Sequence, residues 1–366
     1  MIIRKAKDGE IKKIIDLGNK AFTPIRYEGY DFRKPVPLLY ANSIDYSSIH
    51  YVIEDNKGKF ISQAANLVRT ININNNQILF GNVGTVSTLP ICQGKGLMSM
   101  LMKQIEEDDI KNNVCFSVLI GDRKRYNHFG YEKVGYVFKF HVTRRLINAN
   151  SDLKIRKISK TSSDINKLYE IYLKNSKIVL RTKENFYLAL KAKKCDIYSI
   201  CDKENIIGYF SYQAQENYIK EFYITDITKT EQSLNTIFSS LKLIDTNFIV
   251  NPLDINYVNE LSKFSKEISI FDEIQIKVYN LPQFITMLFE LNKEVVRYEN
   301  NCYTFNIDGE SYKIKIKNNN LKIKKENNKN YQTFTSQEFV RWIMQPNYYN
   351  QKKLSFIFYL NYADLI

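Results

Sequence analysis

The sequence predicts an α/β (α+β) protein built from three successive units. The chain has 366 residues, which exceeds the size of a typical single domain. Strand-like and helix-like apolar patterns alternate through two stretches of the chain, and after about residue 280 they give way to a helix and alternating strands. We therefore predict units at residues 1–147, 148–280 and 281–366.

The first unit opens with a short strand over residues 2–5 and a helix over 9–21. Asp8 is the expected N-cap of that helix, because its carboxylate can accept free N–H groups of the first turn. Three strands are predicted next, near 50–54, 60–72 and 77–88. Asn74-Asn75 separates the last two, which predicts a hairpin.

A helix and a buried strand are predicted to follow. The helix begins after Gly96 and places Leu97, Leu101 and Ile105 on one stripe. The run from Val114 to Ile120 is almost entirely apolar, as is typical of a strand covered on both faces.

One run joins the third of these strands to the helix: Gly84-Thr-Val-Ser-Thr-Leu-Pro-Ile-Cys-Gln-Gly-Lys-Gly-Leu-Met98. It has the pattern of a strand ending in a loop whose free N–H groups open a helix. Such N–H groups and the helix dipole favour an anion such as a pyrophosphate. The glycines permit close approach of the backbone, and Lys95 adds a positive charge. The expected phosphate contacts are Gln93, Gly94, Lys95, Gly96, Leu97 and Met98.

Strand, Gln-x-x-Gly and helix together resemble the coenzyme A site of the GNAT N-acetyltransferases. The usual pattern there is Arg/Gln-x-x-Gly-x-Gly/Ala, whereas this chain has Met98 at the last position. That departure is similar to the loop of a narrower family, the enhanced-intracellular-survival (Eis-like) acetyltransferases, which runs into Gly-Leu-Met or Gly-Leu-Leu. Tyr126, in Arg-Tyr-Asn-His-Phe-Gly-Tyr131, likewise resembles that family's Tyr-x-x-Phe-Gly-Tyr setting.

The resemblance implies two tandem GNAT-like domains, the second degenerate, followed by a sterol-carrier-like α+β domain. The predicted elements of the second unit are helices near 163–176, 183–193 and 229–242 and strands near 196–201, 206–215, 219–225 and 248–250. Asp226-Ile-Thr-Lys-Thr-Glu-Gln232 stands where a glycine loop would be, so no cofactor site is expected there.

The third unit is predicted to begin with an amphipathic helix, Leu281–Phe289. Strands near 302–307, 311–316 and 320–325 come next. Ser336 is the expected cap of a helix that carries Phe339, Val340, Trp342 and Ile343.

The chemistry implied by the resemblance is acetyl transfer from acetyl-CoA, without a metal, to an amine. Backbone groups of Val86 and Thr88 would pair with the pantetheine arm, and an edge-strand N–H could polarise the thioester. Tyr126 would be the general acid, because a phenol with an ordinary pKa near 10 is protonated at neutral pH. The family uses the chain's own C-terminal carboxylate as the base, which here belongs to Ile366. Since no Cys-His pair accompanies Cys92, direct transfer in a ternary complex is favoured.

The acceptor is weakly encoded. Glu28 and Asp31, in a proline-broken segment with several aromatic residues, could pair with a cationic amine, and Asp364 is a similar candidate. Ordinary surface charges are an equally good explanation for them. The family acts on amines of aminoglycosides or on lysine-type amines, so an aminoglycoside, polyamine, lysine-like or peptide amine is the expected acceptor.

Composition limits the remaining possibilities. The formal net charge of +14 comes with lysines spread along the chain, and the densest stretch, Lys315–Lys325, alternates like an edge hairpin. We therefore expect no nucleic-acid partner. The five cysteines have no C-x-x-C spacing, and neither a signal peptide nor an apolar run of bilayer length is apparent, so we expect a reduced cytoplasmic protein without membrane contact. The resemblance adds a homo-oligomer, such as a hexamer.

Two other functions fit parts of the sequence. An acyl-CoA-binding sensor without catalysis would keep the loop at Gln93–Met98 but would not need Tyr126. A carrier of apolar ligands would use the last unit, whose helices would then line a cavity.

Overall fold

The computed structural model describes residues 1–24, 31, 33–41, 44–73, 76–174, 179–272, 274–327, 331–345, 354–361 and 364–366. In chain order its strands are β1 (Ile2–Lys5), β2 (His50–Glu54), β3 (Phe60–Ile73), β4 (Asn76–Thr88), β5 (Phe116–Leu119), β6 (Glu132–Val134), β7 (Val137–Thr143), β8 (Lys154–Lys157), β9 (Asp196–Asp202), β10 (Asn205–Gln213), β11 (Tyr218–Ile224), β12 (Asp245–Val250), β13 (Ser265–Phe271), β14 (Ile274–Val278), β15 (Asn301–Ile307), β16 (Glu310–Lys317), β17 (Asn320–Glu326) and β18 (Gln332–Phe334). Its α-helices are α1 (Ile11–Phe22), α2 (Pro37–Tyr40), α3 (Leu97–Lys111), α4 (Arg123–Asn127), α5 (Asp164–Lys174), α6 (Lys183–Leu190), α7 (Thr230–Leu241), α8 (Ile255–Ser262), α9 (Leu281–Asn292) and α10 (Ser336–Met344).

The first sheet contains the strand-loop-helix motif and has the order β1-β2-β3-β4-β5-β14-β6. Strands β1 to β4 pair antiparallel in succession, whereas β4 and β5 pair in parallel. Ile73 pairs with Asn76, which confirms the predicted hairpin, although Asn74-Asn75 itself lies outside the described residues. The predicted strands of the first unit are confirmed. The phosphate loop follows β4 directly.

Helices α1 and α3 agree with prediction in position but not in every cap. Leu97, Leu101 and Ile105 are all buried on α3, as their spacing predicts. The expected cap of α1 is wrong: Glu10, not Asp8, precedes the helix, and it makes no capping side-chain bond. Its carboxylate instead accepts hydrogen bonds from Arg4 and from the backbone N–H of Lys7, which fixes the entry to the helix differently.

The second sheet has the order β13-β7-β12-β11-β10-β9-β8. Strands β9 to β12 and helices α5, α6 and α7 match the predicted second unit closely, whereas β7, β8 and β13 have no predicted counterpart. However, one strand crosses in each direction: β7 pairs with β12 and β13 in the second sheet, and β14 pairs with β5 and β6 in the first. The proposed unit boundaries stay a prediction, but the two sheets are tied together by exchanged strands.

A third sheet, ordered β17-β16-β15-β18, follows α9 and is covered by α10. The basic stretch Lys315–Lys325 forms the edge pair β16–β17, as predicted. The expected cap at Ser336 is wrong by one residue: Thr335 caps α10 through a reciprocal pair of bonds with Glu338. These elements are mixed α and β, while their sterol-carrier-like identity stays a prediction.

The C-terminal segment crosses back to the first two sheets. Leu354, Phe356 and Phe358 are buried in the same apolar cluster as Phe116 of β5. The N–H of Tyr136 donates to the carbonyl of Phe358 over 3.0 Å. We call residues 364–366, at the end of this segment, the tail.

Asp109 on α3 is a buried carboxyl group with incomplete hydrogen bonding. It is 2% exposed, and the Nδ2 of Asn66 donates to its Oδ1 over 2.7 Å. Within the described residues, its Oδ2 and the Oδ1 of Asn66 have no partner. Burial raises the pKa of Asp109 from 3.8 to about 6, since the hydrogen bond from Asn66 offsets only part of the desolvation.

Asp109→Asn is expected to stabilise the protein at pH 8 and to be nearly neutral at pH 3.5. The folded carboxyl binds its proton more tightly than the unfolded one, so stability is lost as pH rises from about 4 through about 6. The full penalty is on the order of 2–3 kcal/mol, and an amide at residue 109 avoids it. Denaturant unfolding at both pH values measures this difference.

Asp108→Asn is the matched control. Burial alone would raise the pKa of Asp108, but hydrogen bonds from Tyr51 and Gln104 outweigh it and leave that pKa below its usual range. This substitution should therefore destabilise the protein at pH 8. An Asp109→Asn protein that is no more stable than the parent at pH 8 would contradict the assignment.

Candidate active site

The phosphate loop presents backbone donors without a side-chain cap. Gly94 and Gly96 have φ of 74° and 71°, which favours glycine, and no atom lies within 4 Å of where their Cβ atoms would be. Helix α3 begins at Leu97, and its first intrahelical donor is the N–H of Met100, bonded to the carbonyl of Gly96 over 3.1 Å. The N–H groups before Met100 in the first turn are therefore available to an anion. This open set of donors fits a pyrophosphate.

The side chains of the loop divide between solvent and core. Gln93 and Lys95 are exposed, and Gln93 Nε2 lies 3.5 Å from the carbonyl oxygen of Thr88. Leu97 is buried, and Met98 packs half-buried against the same apolar cluster. We call this the loop-side cluster; it includes Val83, Leu97, Leu101, Tyr126 and Tyr131. Met98 thus contributes to the core at the position where the usual motif has a small residue.

Strand β4 separates from β5 just before the loop. Their parallel pairing covers Phe80–Asn82 of β4 and stops there, so residues 83, 84, 87 and 88 pair on one side only, with β3. The N–H of Leu89 donates to the carbonyl of Ile61 in β3. Because backbone direction alternates along a strand, the N–H groups of Val86 and Thr88 face away from β3. Both predicted pantetheine contacts therefore lie on the open edge of β4.

A bulge marks the separation of the strands. The register between β3 and β4 shifts between Gln63 and Ala65, and Thr85 lies opposite this shift with φ of 54°. A bulge bends its strand and changes the direction of the adjacent side chains. This bulge directly follows Gly84. The sequence offered no glycine at residue 85 to indicate it.

Tyr126 lies on α4, which begins after Asp122. The Asp122 carboxylate caps this helix by accepting from the N–H groups of Lys124 and Arg125. The tyrosine is 7% exposed, and a Cβ at Gly121 would overlap its ring. Burial raises its pKa above 10, against a smaller lowering effect of Arg125. The phenol is therefore protonated at neutral pH, and its hydroxyl has no hydrogen-bond partner among the described residues.

The carboxylate of Ile366 lies against β4. A Cβ at Gly84 would overlap the carboxyl oxygen of Ile366 and would lie 2.5 Å from its carboxyl carbon. The Ile366 side chain packs against the loop-side cluster, which also contains Tyr126. Thus the predicted base lies against Gly84 of β4, and its side chain packs against the cluster that contains the predicted acid.

Gly84→Ala is expected to lower kcat at least about tenfold, because its methyl group would displace the carboxylate. Acetyl-CoA affinity should change little, since the phosphate loop is untouched. Steady-state kinetics measure the effect. In a protein that lacks Ile366, the methyl group has no carboxylate to displace. If Gly84→Ala lowered kcat in that protein as much as in the full chain, this explanation would be contradicted.

The three residues predicted to bind the acceptor amine have different surroundings. Glu28 lies outside the described residues. Asp31 is described, and Arg33 forms an ion pair with it over 2.9 Å and lowers its pKa. Asp364 is not a free acceptor group: it is bound by Arg181 and Arg69, so that hypothesis is wrong.

Sequence reasoning missed the buried charges around the tail. Arg181 binds both Asp364 and Glu221, and Asn82 donates to the carbonyl of Asp364 over 2.9 Å. No local motif signals these charges, because Arg181 and Asp364 are 183 residues apart in the sequence.

Among the described residues, no group of three or more His, Cys, Asp or Glu side chains could hold a metal ion. None of the helices they form combines the length and hydropathy needed to cross a bilayer.

Comparison with known proteins gives one family match and many similar folds. Residues 2–134 match the family model described as an acetyltransferase (GNAT) domain. A search of curated proteins found no match. Among solved structures, a probable N-acyltransferase from Enterococcus faecalis has a TM-score of 0.66 at 16% identity, over 93% of this chain and 88% of that chain.

Two further structures share the fold over similar lengths. A GCN5-related N-acetyltransferase from Anabaena variabilis has a TM-score of 0.64 at 14% identity, covering 92% of this chain and 88% of that one. Eis1 from Mycobacterium abscessus has a TM-score of 0.61 at 12% identity, covering 93% and 88%. GNAT enzymes use acetyl-CoA, which agrees with the open donors of the phosphate loop. Residues 2–134 of this chain therefore form a GNAT acetyltransferase domain.

Proposed function

We propose that this protein transfers the acetyl group of acetyl-CoA to a primary amine by direct transfer in a ternary complex. The acceptor would be an aminoglycoside, a polyamine or a lysine-like amine, and the enzyme would be Eis-like. The observation that carries the proposal is the contact of the Ile366 carboxylate with Gly84, at the open edge of the strand that leads to the phosphate loop. The similarity in fold to Eis1 of Mycobacterium abscessus also supports it.

In this proposal the backbone N–H groups from Gly94 to Met98 would hold the pyrophosphate of the cofactor. Gln93 and Lys95 would add polar and charged contacts, and the N–H groups of Val86 and Thr88 would orient the pantetheine arm. When bound, acetyl-CoA supplies an acetyl group activated as a thioester.

Two groups of the chain itself would accept and donate the protons of the reaction. The Ile366 carboxylate would accept a proton from the acceptor amine, since an α-carboxyl group has an ordinary pKa near 3.5 and is ionised at neutral pH. The Tyr126 hydroxyl would donate a proton to the departing thiolate, which the raised pKa of this phenol supports. Each group would thus start in the protonation state that its role requires.

The acceptor side is proposed to include Glu28 and Asp31. The pairing of Asp31 with Arg33 leaves its carboxylate only partly available to a cationic amine. We also propose that the protein assembles into a homo-oligomer, such as the hexamer formed by Eis-like enzymes.

The proposal is tested by free-thiol release from acetyl-CoA with purified protein and a panel of amines. The panel contains aminoglycosides, polyamines and lysine peptides, each with a control lacking the acceptor. Amine-dependent thiol release is the expected result. Binding of acetyl-CoA without release for any amine would favour an acyl-CoA sensor and contradict the proposal.

A further inference from the structure

A buried cluster of four charged side chains includes Asp364 of the tail and three residues that lie around it. Arg181, Glu221 and Asp364 have side chains that are 1%, 2% and 6% exposed, and Arg69 is 11% exposed. Two arginines face two carboxylates, so the formal charges of these four groups balance. We call this group the clamp.

Arg181 is held in place from the second sheet. Its Nη1 and Nη2 donate to the two carboxylate oxygens of Glu221 on β11, over 3.1 and 2.8 Å. Tyr209 donates to Glu221 over 2.6 Å, and Tyr169 donates to the backbone carbonyl of Arg181 over 2.9 Å. Burial would lower the pKa of Arg181, but Asp364 and Glu221 outweigh it and hold that pKa well above its ordinary value.

The other face of Arg181 grips the tail. Its Nε and Nη2 donate to the two carboxylate oxygens of Asp364, over 2.8 and 3.1 Å. This bidentate geometry fixes the direction of the carboxylate as well as its distance. Arg69 of β3 lies 3.4 Å from Oδ1 of the same residue and also donates to its backbone carbonyl.

Asp364 is thus fixed through both its side chain and its backbone. Asn82 of β4 adds a third bond, to the Asp364 carbonyl. Only Leu365 separates Asp364 from Ile366, and Leu365 is itself buried in the neighbouring cluster. The Ile366 carboxylate, two residues after the clamp, lies against Gly84, two residues after Asn82 on β4.

Buried ion pairs of this kind contribute little net stability, because the desolvation of each charge offsets most of their attraction. They are well suited to fixing one geometry, because a displaced partner leaves a charge buried and unpaired. A chain terminus is otherwise among the most mobile parts of a domain.

We propose that Arg181 and Asp364 are positioning residues, which hold the tail so that the Ile366 carboxylate stays against Gly84 of β4. This inference rests on the proposed role of Ile366 as the base. It also connects the second sheet to the reaction, because Glu221 on that sheet orients the arginine that holds the catalytic end of the chain.

The test compares Asp364→Asn and Arg181→Lys with the parent protein, using the best acceptor of the amine panel. Both variants keep side-chain size but lose the bidentate ion pair. The expected result is a fall in kcat of at least about tenfold, with KM for acetyl-CoA changed less than about twofold. Arg341→Gln is the matched control: it removes an arginine of α10 that pairs with Glu132 in the first sheet and does not touch the tail. A loss of kcat in the control as large as in the clamp variants would overturn the proposal.

A double-variant cycle tests the positioning role of Asp364 separately from the proposed role of Ile366 as the base. Asp364→Asn is measured again in a protein lacking Ile366. If Asp364 acts through the carboxylate, the second substitution should cause no further loss of kcat. An equal further loss would overturn the clamp's role and leave the base intact. A full rate in the protein lacking Ile366 would instead contradict the proposed base.

Two further measurements complement the kinetics: the first does not depend on catalysis, and the second does not replace a buried charge. Hydrogen exchange of the C-terminal peptide should be at least about tenfold faster in Asp364→Asn than in the parent, and unchanged in Arg341→Gln. Unchanged exchange in Asp364→Asn would overturn the proposal. Inserting one glycine between Asp364 and Leu365 keeps the clamp but shifts the carboxylate by up to about 3.5 Å. The same loss of kcat is expected, and full activity of this insertion would also overturn the proposal.

Discussion

Deleting Ile366, or extending the chain beyond it with a short tag, is expected to lower kcat about 100-fold. Deletion withdraws the carboxylate from Gly84, and extension converts it into a neutral amide that cannot accept a proton. The fold should survive both changes, because the side chain of Ile366 is only partly buried and the clamp lies before it. The tagged protein tests the charge, and the deletion tests the position.

Steady-state rates of amine acetylation, measured beside thermal unfolding, check this prediction. Acetyl-CoA binding by calorimetry is the control, and it should be nearly unchanged because the phosphate loop keeps its donors. Equal activity of the tagged and untagged proteins would rule out the carboxylate as the base. A parallel loss of activity and thermal stability would mean that the tail supports the fold and not the reaction.

Tyr126→Phe is expected to lower kcat at least about tenfold while leaving acetyl-CoA binding nearly intact. The substitution removes a hydroxyl that has no partner among the described residues, so little stability should be lost. Because burial raises the pKa of Tyr126, the parent enzyme should keep its acid protonated as the pH rises through the ordinary phenol range. The kinetics of the variant and the pH–rate profile of the parent measure both effects.

Tyr131→Phe is the matched control from the same motif. Its hydroxyl is hydrogen-bonded to Ser117 over 2.8 Å and is fully enclosed, so removing it should lower stability more than rate. Thermal unfolding and kcat together distinguish the two tyrosines. A Tyr126→Phe enzyme as fast as the parent would eliminate this residue as the proton donor.

Local patterns predicted the local features of the fold well. The hairpin β3–β4, the stripe of Leu97 and Leu101 on α3, and the loop after β4 all follow from periodicity and glycine placement. These features depend on residues close together in sequence. The coarse assignment to GNAT acetyltransferases followed from the same short motif and is supported by the match over residues 2–134.

The sequence did not predict the features that join distant segments. Periodicity identifies a strand but not its partner, so the exchange of β7 and β14 between the sheets could not be seen. The clamp depends on Arg181 meeting Asp364, and each looks locally like an ordinary surface charge. The caps predicted at Asp8 and Ser336 were wrong for different reasons: α1 begins after Glu10 without a side-chain cap, and Thr335 caps α10 one residue earlier than expected.

Detection of all acetyl-bearing products after one rapid mixing tests direct acetyl transfer most directly. Protein, acetyl-CoA and the best amine of the panel are mixed and quenched, and free coenzyme A, acetylated amine and intact protein are quantified by mass spectrometry. Direct transfer predicts equal amounts of coenzyme A and acetylated amine, and protein of unchanged mass both with and without the amine. Acetyl groups accumulating on the protein, for instance at Cys92 beside the phosphate loop, or coenzyme A released without acetylated amine, would contradict it.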